Sequence, residues 1–320
     1  MKDSILARIV EEWTLPALPR KIAGGFQNQT YKSGTNSQSI YFRIKEGSED
    51  TQRRLDSEME YIRTLHEKGV PVSLPVHSRK ERPFEVFSYN GNNYIAAAFQ
   101  GVPGQPVNAG DAWSWNGHLF KKWGSTMGKM HRVAENLAPE SFFRPQGVEV
   151  NHKVEAALGV TAPELKGKYQ EYMERLRNIS THKENFGLIH NDFHQGNFHV
   201  SRGNIHLFDF DDCAFYWYAN DIAASFYHAH WQNDSYGRDS QGFPAFFFEH
   251  FLEGYTEEKN LPPDFQEQIQ LFLKGREFFL YSLFKKHWKL CEMEDWQRTK
   301  LKELEFSLSN DKPAFPCDLF

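Results

Sequence analysis

The sequence contains little cysteine, and its three cysteines, Cys213, Cys291 and Cys317, lie far apart. An odd number of widely spaced cysteines forms neither a disulfide framework nor a Cys-x-x-Cys zinc or redox site. The N-terminal stretch MKDSILARIVEEW carries charges throughout, unlike the apolar segment of a secretory signal. These absences predict a protein of a reducing compartment, and we expect it to be cytoplasmic.

Long apolar runs and blocks of basic residues are also missing. Apolar stretches such as YIAAAF are much shorter than the ~20 residues that a membrane-spanning helix needs. The 37 basic and 42 acidic residues are interspersed, with a net charge of -5, so the sequence offers no basic stripe that could track a phosphate backbone. We therefore expect neither a membrane nor a nucleic acid as a partner, and the oligomeric state stays open.

The residues that are present indicate a folded chain with two kinds of architecture. Hydrophobic residues make up 40% and aromatic residues 15% of the 320 residues, which is enough for a large core. Residues 1–99 alternate apolar and polar positions around glycine turns, with one helical pattern at 49–69, and predict a small sheet-rich lobe. The segment QGVPGQPVNAG marks a linker at 100–110, and the long amphipathic patterns of 111–320 predict a mainly helical lobe.

The stretch HNDFHQGNFHVSRGNIHLFDFDD contains a predicted hairpin. If Arg202 and Gly203 form a two-residue turn, Val200 pairs with Ile205 and the two strands end together at Asn197 and Asp209. Strict alternation would direct these two side chains to opposite faces, so we expect irregular backbone at one or both ends. The hairpin would then bring two oxygen-bearing side chains to one place.

These side chains indicate phosphate chemistry. Asn197 and Asp209 offer the oxygen ligands that Mg²⁺ accepts together with water and nucleotide phosphates. Asp192 precedes Asn197 by five residues, close enough for its carboxylate to receive a hydroxyl proton beside a metal-bound phosphate.

A metal-dependent hydrolase is an alternative for the same stretch. His190, Asp192 and His194 would form a transition-metal cluster, with His199, His206 and Asp209 completing the site. The sequence lacks a second His-x-His or a His-Glu-x-x-His element that would supply an independent ligand set.

HNDFHQGN followed by LFDFDD resembles the catalytic loop and metal-binding segment of the aminoglycoside phosphotransferase and choline kinase family. Further segments follow in the family's order: MGKMHRVA before the loop, YANDIA with Asp221 after it, and LFLKGREFFLY with Arg276. The resemblance covers roughly residues 20 to 290. It implies an α+β, bilobal protein-kinase-like fold with a small antiparallel-sheet N-lobe and a larger, mainly helical C-lobe.

The resemblance also implies roles for residues of the C-lobe, which would hold the catalytic loop, the metal site and the substrate pocket. It makes Asp192 the catalytic base, Asn197 and Asp209 the metal ligands, and Asp221 a structural anchor of the catalytic loop. His190 would be packed rather than reactive. The family has glycine where this chain has Asn191, which tolerates unusual backbone angles better than most residues.

In the N-lobe, the resemblance implies a nucleotide site. IAGGFQNQTY would be the nucleotide loop, with Gly24 and Gly25 letting backbone N–H groups approach the phosphates. Arg43 in IYFRIKE would hold the α and β phosphates, with Lys45 as the alternative and Glu58 as the ion-pair partner. The backbone near Gln100 and Val102 would bind adenine.

The function that these features predict is a phosphotransferase with Mg²⁺ and with ATP or GTP as co-substrate. It would transfer the γ-phosphoryl group to a hydroxyl of a small, amine-bearing molecule, such as an aminoglycoside, an amino alcohol or a homoserine-like compound. A serine/threonine protein kinase, the hydrolase, and a non-catalytic nucleotide-binding protein of the same fold are the alternatives. The sequence leaves open the roles of Asp211, Asp212 and His194.

Overall fold

The computed structural model describes residues 2–22, 29–35, 38–289, 291–310, 312 and 315. In chain order its strands are β1 (Arg20–Lys21), β2 (Gln29–Ser33), β3 (Ile40–Glu46), β4 (Phe84–Tyr89), β5 (Asn92–Gln100), β6 (Gln105–Pro106), β7 (Phe186–Ile189), β8 (Phe198–Ser201), β9 (Asn204–Leu207) and β10 (Ala214–Trp217). Its helices are α1 (Lys2–Glu12), α2 (Glu49–Glu67), α3 (Gly117–Ala134), α4 (His152–Thr161), α5 (Lys166–Arg177), α6 (Tyr218–Ser235), α7 (Phe243–Thr256), α8 (Phe265–His287) and α9 (Asp295–Ser309).

Contacts divide the chain into two compact units. The first unit comprises Met1–Pro106, Glu140–Phe143 and Asn197–Asp211, and the second comprises Val107–Pro139, Arg144–Gly196 and Asp212–Phe320. The first unit contains an antiparallel sheet in the order β1-β2-β3-β5-β4 and a second sheet in the order β6-β8-β9. The second unit is mainly helical, with one antiparallel pair of β7 and β10. The α+β prediction is confirmed.

The β8–β9 hairpin belongs to the first unit, whereas the division by chain order had placed it and the metal segment in the second lobe. Main-chain bonds explain the grouping, because the N–H of Leu207 donates to Pro71 and its carbonyl accepts from Ser73. Two late segments also reach the buried side chain of Tyr61 on α2, where the rings of Phe142 and Phe210 both pack edge-on. The first unit is therefore assembled from three separate parts of the chain.

Helix α2 forms where the apolar spacing predicted it. The Ser48 side chain and Thr51 form a capping box at its start, which satisfies backbone groups that the first turn leaves unbonded. The helix buries Leu55, Met59, Ile62 and Leu65, as expected for one apolar face. Gly69, with a φ of 75°, follows its end.

Two hairpins have the predicted turns. Asn90 and Gly91 have φ values of 50° and 82°, and Arg202 and Gly203 have 50° and 74°, so both turns suit the right-handed twist of their strands. The register between β8 and β9 pairs Val200 with Ile205, as predicted from the two-residue turn.

In the second unit, α3 and α7 pack at very close range through glycine. A Cβ built on Gly124 would overlap the carbonyl oxygen of Phe251, and one on Gly254 would overlap that of Lys121. The aromatic rings of Trp123 and Phe251 then meet in the core beside this crossing. Glycine is needed here because the backbones leave no space for a side chain.

Within the described ranges, no helix is both long enough and apolar enough to cross a membrane.

Candidate active site

The loop that carries Asp192 follows β7 in the second unit and is held by one buried carboxylate. Asp221, on α6, accepts the backbone N–H of His190 at 2.9 Å and that of Asn191 at 2.6 Å. The same carboxylate contacts Nε2 of His131 at 3.2 Å, and all of these groups are buried or half-buried. This confirms the prediction that Asp221 anchors the loop and that His190 is packed.

Asn191 has the backbone conformation that its position requires. Its φ is 68°, in the left-handed region that glycine adopts readily and asparagine tolerates. Its side chain donates to the carbonyl of Asp212 at 3.1 Å and accepts from Asn220 at 2.9 Å. The replacement of the family's glycine is therefore accommodated by both the backbone and the side chain.

Asp192 is the carboxylate that this loop presents, and Arg276 and His194 contact its oxygens. The Arg276 guanidinium donates to Oδ1 at 2.5 Å, and Nε2 of His194 lies 3.3 Å from Oδ2. Burial acts to raise the pKa of Asp192, but its interactions with His194 and with the Arg276 guanidinium outweigh burial and hold the pKa well below its usual range. Asp192 is therefore ionised, and its side chain is still 28% exposed.

His228, on α6, contacts the Arg276 guanidinium that binds Asp192. Its Nε2 lies 2.7 Å from one terminal nitrogen of Arg276 and 3.3 Å from Nε. Burial and the neighbouring Arg276 charge hold the pKa of His228 well below its usual range, so the ring is neutral. Since a guanidinium can only donate, Nε2 of His228 must be the unprotonated acceptor.

In the first unit, the end of the β8–β9 hairpin is irregular on both sides. Asn197 closes a short 3₁₀ turn, Gln195–Asn197, and Asp209 has a φ of 64°. The N–H of Phe208 donates to the carbonyl of Asn197 at 3.0 Å, so Asp209 follows directly on the residue paired with Asn197. The expected irregular backbone is present at both ends.

Arg43, on β3, is the centre of a buried charge cluster in this unit. It lies 2.5 Å from the Glu58 carboxylate, 3.3 Å from Asp209 and 3.6 Å from Asp211. Burial opposes its charge, but the carboxylates of Asp211, Glu58 and Asp209 outweigh burial and raise the pKa of Arg43. Lys45 is more exposed and contacts Asp211 at 2.6 Å.

The expected partnership of Arg43 with Glu58 is thus present, and both side chains are almost fully buried. Lys45 does not contact Glu58 directly but shares Asp211 with Arg43. Which of the two basic side chains would hold the nucleotide phosphates stays a prediction.

Gln100 and Val102, the predicted adenine contacts, differ in how many of their backbone groups already form hydrogen bonds within the protein. The N–H of Gln100 donates to Leu74 and its carbonyl accepts from Ser73. The backbone of Val102 forms a hydrogen bond with the imidazole ring of His199. Gly24 and Gly25 lie outside the described residues.

The side chains of the first unit suit a hard cation. The amide of Asn197 and the carboxylate of Asp209, which is 51% exposed, are oxygen donors of the kind that Mg²⁺ combines with water and phosphate oxygens. Over the part of the chain that the structure describes, no three His, Cys, Asp or Glu side chains stand together as a metal site. Nδ1 of His190 accepts the backbone N–H of Asp192 at 3.4 Å, which is a packing role rather than that of a metal ligand.

A family model described as "Phosphotransferase enzyme family" matches residues 19–261. The chain belongs to the phosphotransferase enzyme family. It is a kinase that transfers phosphate to a hydroxyl group. The family model and the relatives support neither the hydrolase alternative nor the non-catalytic one.

Two kinases illustrate how far the likeness of this phosphotransferase extends. Amicoumacin kinase of Bacillus subtilis (strain 168) is 28% identical over 321 residues, which cover 99% of this chain and 95% of that protein. An amicoumacin kinase solved in complex with AMP-PNP, Ca2+ and Ami has a TM-score of 0.89 and 25% identity, covering 99% of this chain and 96% of its own.

A microcompartment-associated aminopropanol kinase, with a TM-score of 0.73 and 18% identity, covers 97% of this chain and 99% of its own. Together with the amicoumacin kinase structure, it confirms the bilobal, protein-kinase-like fold of this phosphotransferase.

Sequence reasoning missed how Arg276 and His228 contribute to this arrangement. The order of the family's segments includes Arg276 without giving it a role, and no motif points to His228. Arg276 lies 84 residues from Asp192 along the chain, and no local spacing connects the two. Only the packing of α6 against α8 brings these side chains together.

Proposed function

We propose that this phosphotransferase moves the γ-phosphoryl group of ATP or GTP to a hydroxyl of a small, amine-bearing molecule, with Asp192 as the catalytic base. The observation that carries the proposal is the Asp192 carboxylate itself, ionised by its neighbours and still 28% exposed. A base needs to be both unprotonated and accessible to the hydroxyl whose proton it accepts.

The reaction needs little covalent help from the protein. The acceptor O–H bond breaks and its proton bonds to Asp192, while the acceptor oxygen bonds to the γ-phosphorus. The bond from that phosphorus to the bridging oxygen breaks, and its electron pair leaves on ADP or GDP. Arg43 and Lys45 supply positive charge for the phosphates, and Val102 is the better of the two predicted adenine contacts, because the N–H and carbonyl of Gln100 are already bonded.

Asn197 and Asp209 would hold Mg²⁺ in this scheme. When bound, the ion neutralises charge on the phosphate oxygens. The amicoumacin kinase complex with AMP-PNP and Ca2+ supports a nucleotide and a divalent cation for this family member. Asp211 is the neighbouring carboxylate, and its bonds to Lys45 and Arg43 orient those side chains.

The acceptor would bind in the second unit. A cavity of about 740 Å³ there is lined by His228, Trp231, Asp234, Trp296 and Glu303, among others. Lys300 also lines this cavity, where its ammonium group lies 3.3 Å from the Glu303 carboxylate and 5.0 Å from the centre of the Trp231 ring. A cationic amine of the acceptor would therefore be recognised by the Asp234 carboxylate and the Trp296 ring. Amicoumacin, amino alcohols, aminoglycosides and homoserine-like compounds are therefore the acceptors to test, and the likeness to amicoumacin kinase favours the first.

The decisive experiment is a panel of acceptors read by ADP release with MgATP and MgGTP. It should contain amicoumacin A, 1-amino-2-propanol, choline, kanamycin, homoserine and a generic protein substrate. We expect transfer to at least one small amine-bearing molecule. Transfer only to protein would overturn the proposed acceptor class and favour a protein kinase.

Asp192→Asn separates the chemistry from binding. The amide has almost the same shape but cannot accept the proton, so we expect turnover to fall by about 1,000-fold while nucleotide affinity is kept. Affinity is measured by thermal shift with the nucleotide, and turnover by ADP release. Full turnover in this variant would show that Asp192 is not the base.

Asp209→Ala tests the metal site. A ligand that binds only the native state raises the unfolding midpoint, so the wild type should be protected by MgATP and less by ATP with EDTA. Asp209→Ala should lose the magnesium-dependent part of this protection. Asp50→Ala, a surface carboxylate that contacts Arg53 at 4.0 Å, is the matched control and should keep it. Equal protection in both variants would exclude Asp209 as a ligand.

A further inference from the structure

Arg276 and His228 form a structural support behind Asp192 that the reaction scheme does not yet use. Arg276 lies on α8, His228 lies on α6, and Asp192 lies in the loop after β7. The Arg276 side chain is only 7% exposed, and its guanidinium also lies 4.8 Å from the centre of the Phe279 ring. This arginine is therefore fixed on several sides.

The donor geometry of Arg276 sets the orientation of Asp192. One terminal nitrogen contacts both Oδ1 of Asp192, at 2.5 Å, and Nε2 of His228, at 2.7 Å. That nitrogen has two hydrogens, so one can point to each acceptor. Because the neutral His228 ring holds one of them, the other is directed at Oδ1.

The other carboxylate oxygen has a weaker contact. Nε2 of His194 lies 3.3 Å from Oδ2 of Asp192, a longer distance than that from Arg276 to Oδ1. The Nδ1 atom of His194 accepts the backbone N–H of Gly196 at 3.0 Å, and its ring stacks on that of His228 at 4.6 Å. The four side chains thus form one connected group in the second unit.

We propose that Arg276 and His228 are positioning residues for the catalytic base: they fix Oδ1 of Asp192 and leave Oδ2 to accept the proton of the acceptor hydroxyl. This inference rests on the proposed function, because it takes Asp192 as the base. His228 also lines the cavity that we assign to the acceptor. It therefore links the wall of that cavity to the carboxylate through a single arginine.

The variants are chosen to separate positioning from folding. Arg276→Gln removes both the positive charge and the planar set of N–H donors of the guanidinium. Arg276→Lys keeps the positive charge but not this planar set of donors. His228→Leu removes the acceptor, whereas His228→Gln keeps an acceptor oxygen. Arg132→Gln, which breaks the pair between the exposed Arg132 and the half-buried Glu258, is the control for loss of an arginine.

Each full-length variant is assayed for ADP release with amicoumacin A as acceptor, and with MgATP alone, where water is the acceptor. Misplacing a reacting group by about 1 Å costs on the order of 100-fold, so we expect that loss of kcat in Arg276→Gln and about 10-fold in His228→Leu. Arg276→Lys should lie in between, His228→Gln should recover most of the loss, and the nucleotide KM should stay within about twofold. Arg132→Gln should match the wild type.

A second readout does not depend on turnover. Carbon-13 NMR of the Asp192 carboxyl carbon should show it titrating at a higher pH in Arg276→Gln than in the wild type, because burial remains when the guanidinium is lost. His194 and His228 also face this carboxyl, so His228→Leu serves as the comparison.

The outcomes separate this inference from the proposed function. If Asp192→Asn kept full turnover, the proposed function would fail, and this inference with it. If Asp192→Asn were inactive but Arg276→Gln and His228→Leu kept the wild-type kcat, only this inference would fail. A rise in the KM for amicoumacin A without a change in kcat would also overturn it, because the two residues would then bind the acceptor rather than position the base.

Discussion

At Asn191, one residue combines two structural tasks. Its φ of 68° lets the chain turn between the buried His190 and the half-buried Asp192. Its side chain meanwhile connects the loop to Asp212 and Asn220. Glycine could perform the first task but not the second, which explains in physical terms why asparagine suits this position.

Asn191→Ala and Asn191→Gly separate these tasks. Both variants lose the side-chain hydrogen bonds equally, but only alanine pays the steric cost of the left-handed conformation. We expect the alanine variant to be less stable than the glycine variant by about 1 kcal/mol, as measured by urea unfolding. Equal stabilities would mean that the loop relaxes away from this backbone angle.

Single residues also show how far sequence reasoning reaches at this scale. Asn191, Asp192 and Asp221 lie in short motifs, so both their identities and their spacing could be recognised. Arg276 and His228 lie on different helices, and their contacts with Asp192 depend on the rotation of α6 and α8 about their own axes. A pattern along one helix does not determine that rotation, so the pattern could not reveal these contacts.

At the scale of elements, the α3–α7 pair is the closest helix packing described above. Gly124 and Gly254 face the opposite backbone, and in each case the obstructing atom is a carbonyl oxygen rather than a flexible side chain. A larger residue could be accommodated only by moving a whole helix. Such crossings tolerate very little change in volume.

Gly124→Ala should therefore destabilise the protein by about 3 kcal/mol, because the added methyl group forces the helices apart. Gly159→Ala on α4 is the matched control, since a Cβ there meets nothing within 4 Å. That change should stabilise by about 0.5 kcal/mol, because alanine restricts the unfolded chain more than glycine does. Thermal or urea unfolding of both variants measures these two changes in stability. Equal changes for Gly124→Ala and Gly159→Ala would refute the packing argument.

Hairpins and helix α2 were predictable because each is specified locally. The Arg202–Gly203 turn sets the register of β8 and β9, and the apolar positions of α2 define its buried face. The partner of the β8–β9 hairpin was not predictable in the same way. Its bonds to Pro71 and Ser73 join distant parts of the chain, which no turn or period encodes.

At the scale of the whole molecule, buried histidines make stability depend on pH. His131 is fully buried, with Nε2 near Asp221 and Nδ1 3.0 Å from the Tyr255 hydroxyl. Burial lowers its pKa from the ordinary value of 6.5, although the contact with Asp221 opposes the shift. The unfolded chain therefore binds a proton below pH 6.5 that the folded protein excludes until its lower pKa is reached.

We therefore expect the free energy of unfolding to fall as the pH drops below 6.5, by up to about 1.4 kcal/mol per pH unit for this histidine. Burial raises the pKa of Glu277, which makes the folded protein more stable as the pH falls and so opposes the effect of His131. The difference in unfolding free energy between the wild type and a His131 variant is therefore a sharper measure than the wild-type stability alone. The destabilisation caused by His131→Gln should be greatest at neutral pH and shrink towards pH 5, as measured by urea unfolding. A destabilisation that is constant with pH would contradict this.

The first unit is assembled from three separate segments of the chain, and this has a consequence for folding during translation. Tyr61 is covered by Phe142 and Phe210, and the Arg43 charge cluster is completed by Asp209 and Asp211. All four of these partners leave the ribosome long after β5 has been synthesised. Until they emerge, helix α2 lacks the rings that cover Tyr61, and Arg43 has Glu58 but not yet Asp209 or Asp211 as a partner. The first unit therefore cannot be completed during translation until the segment that ends at Asp211 has been synthesised, and the early chain must stay soluble while it waits for these residues.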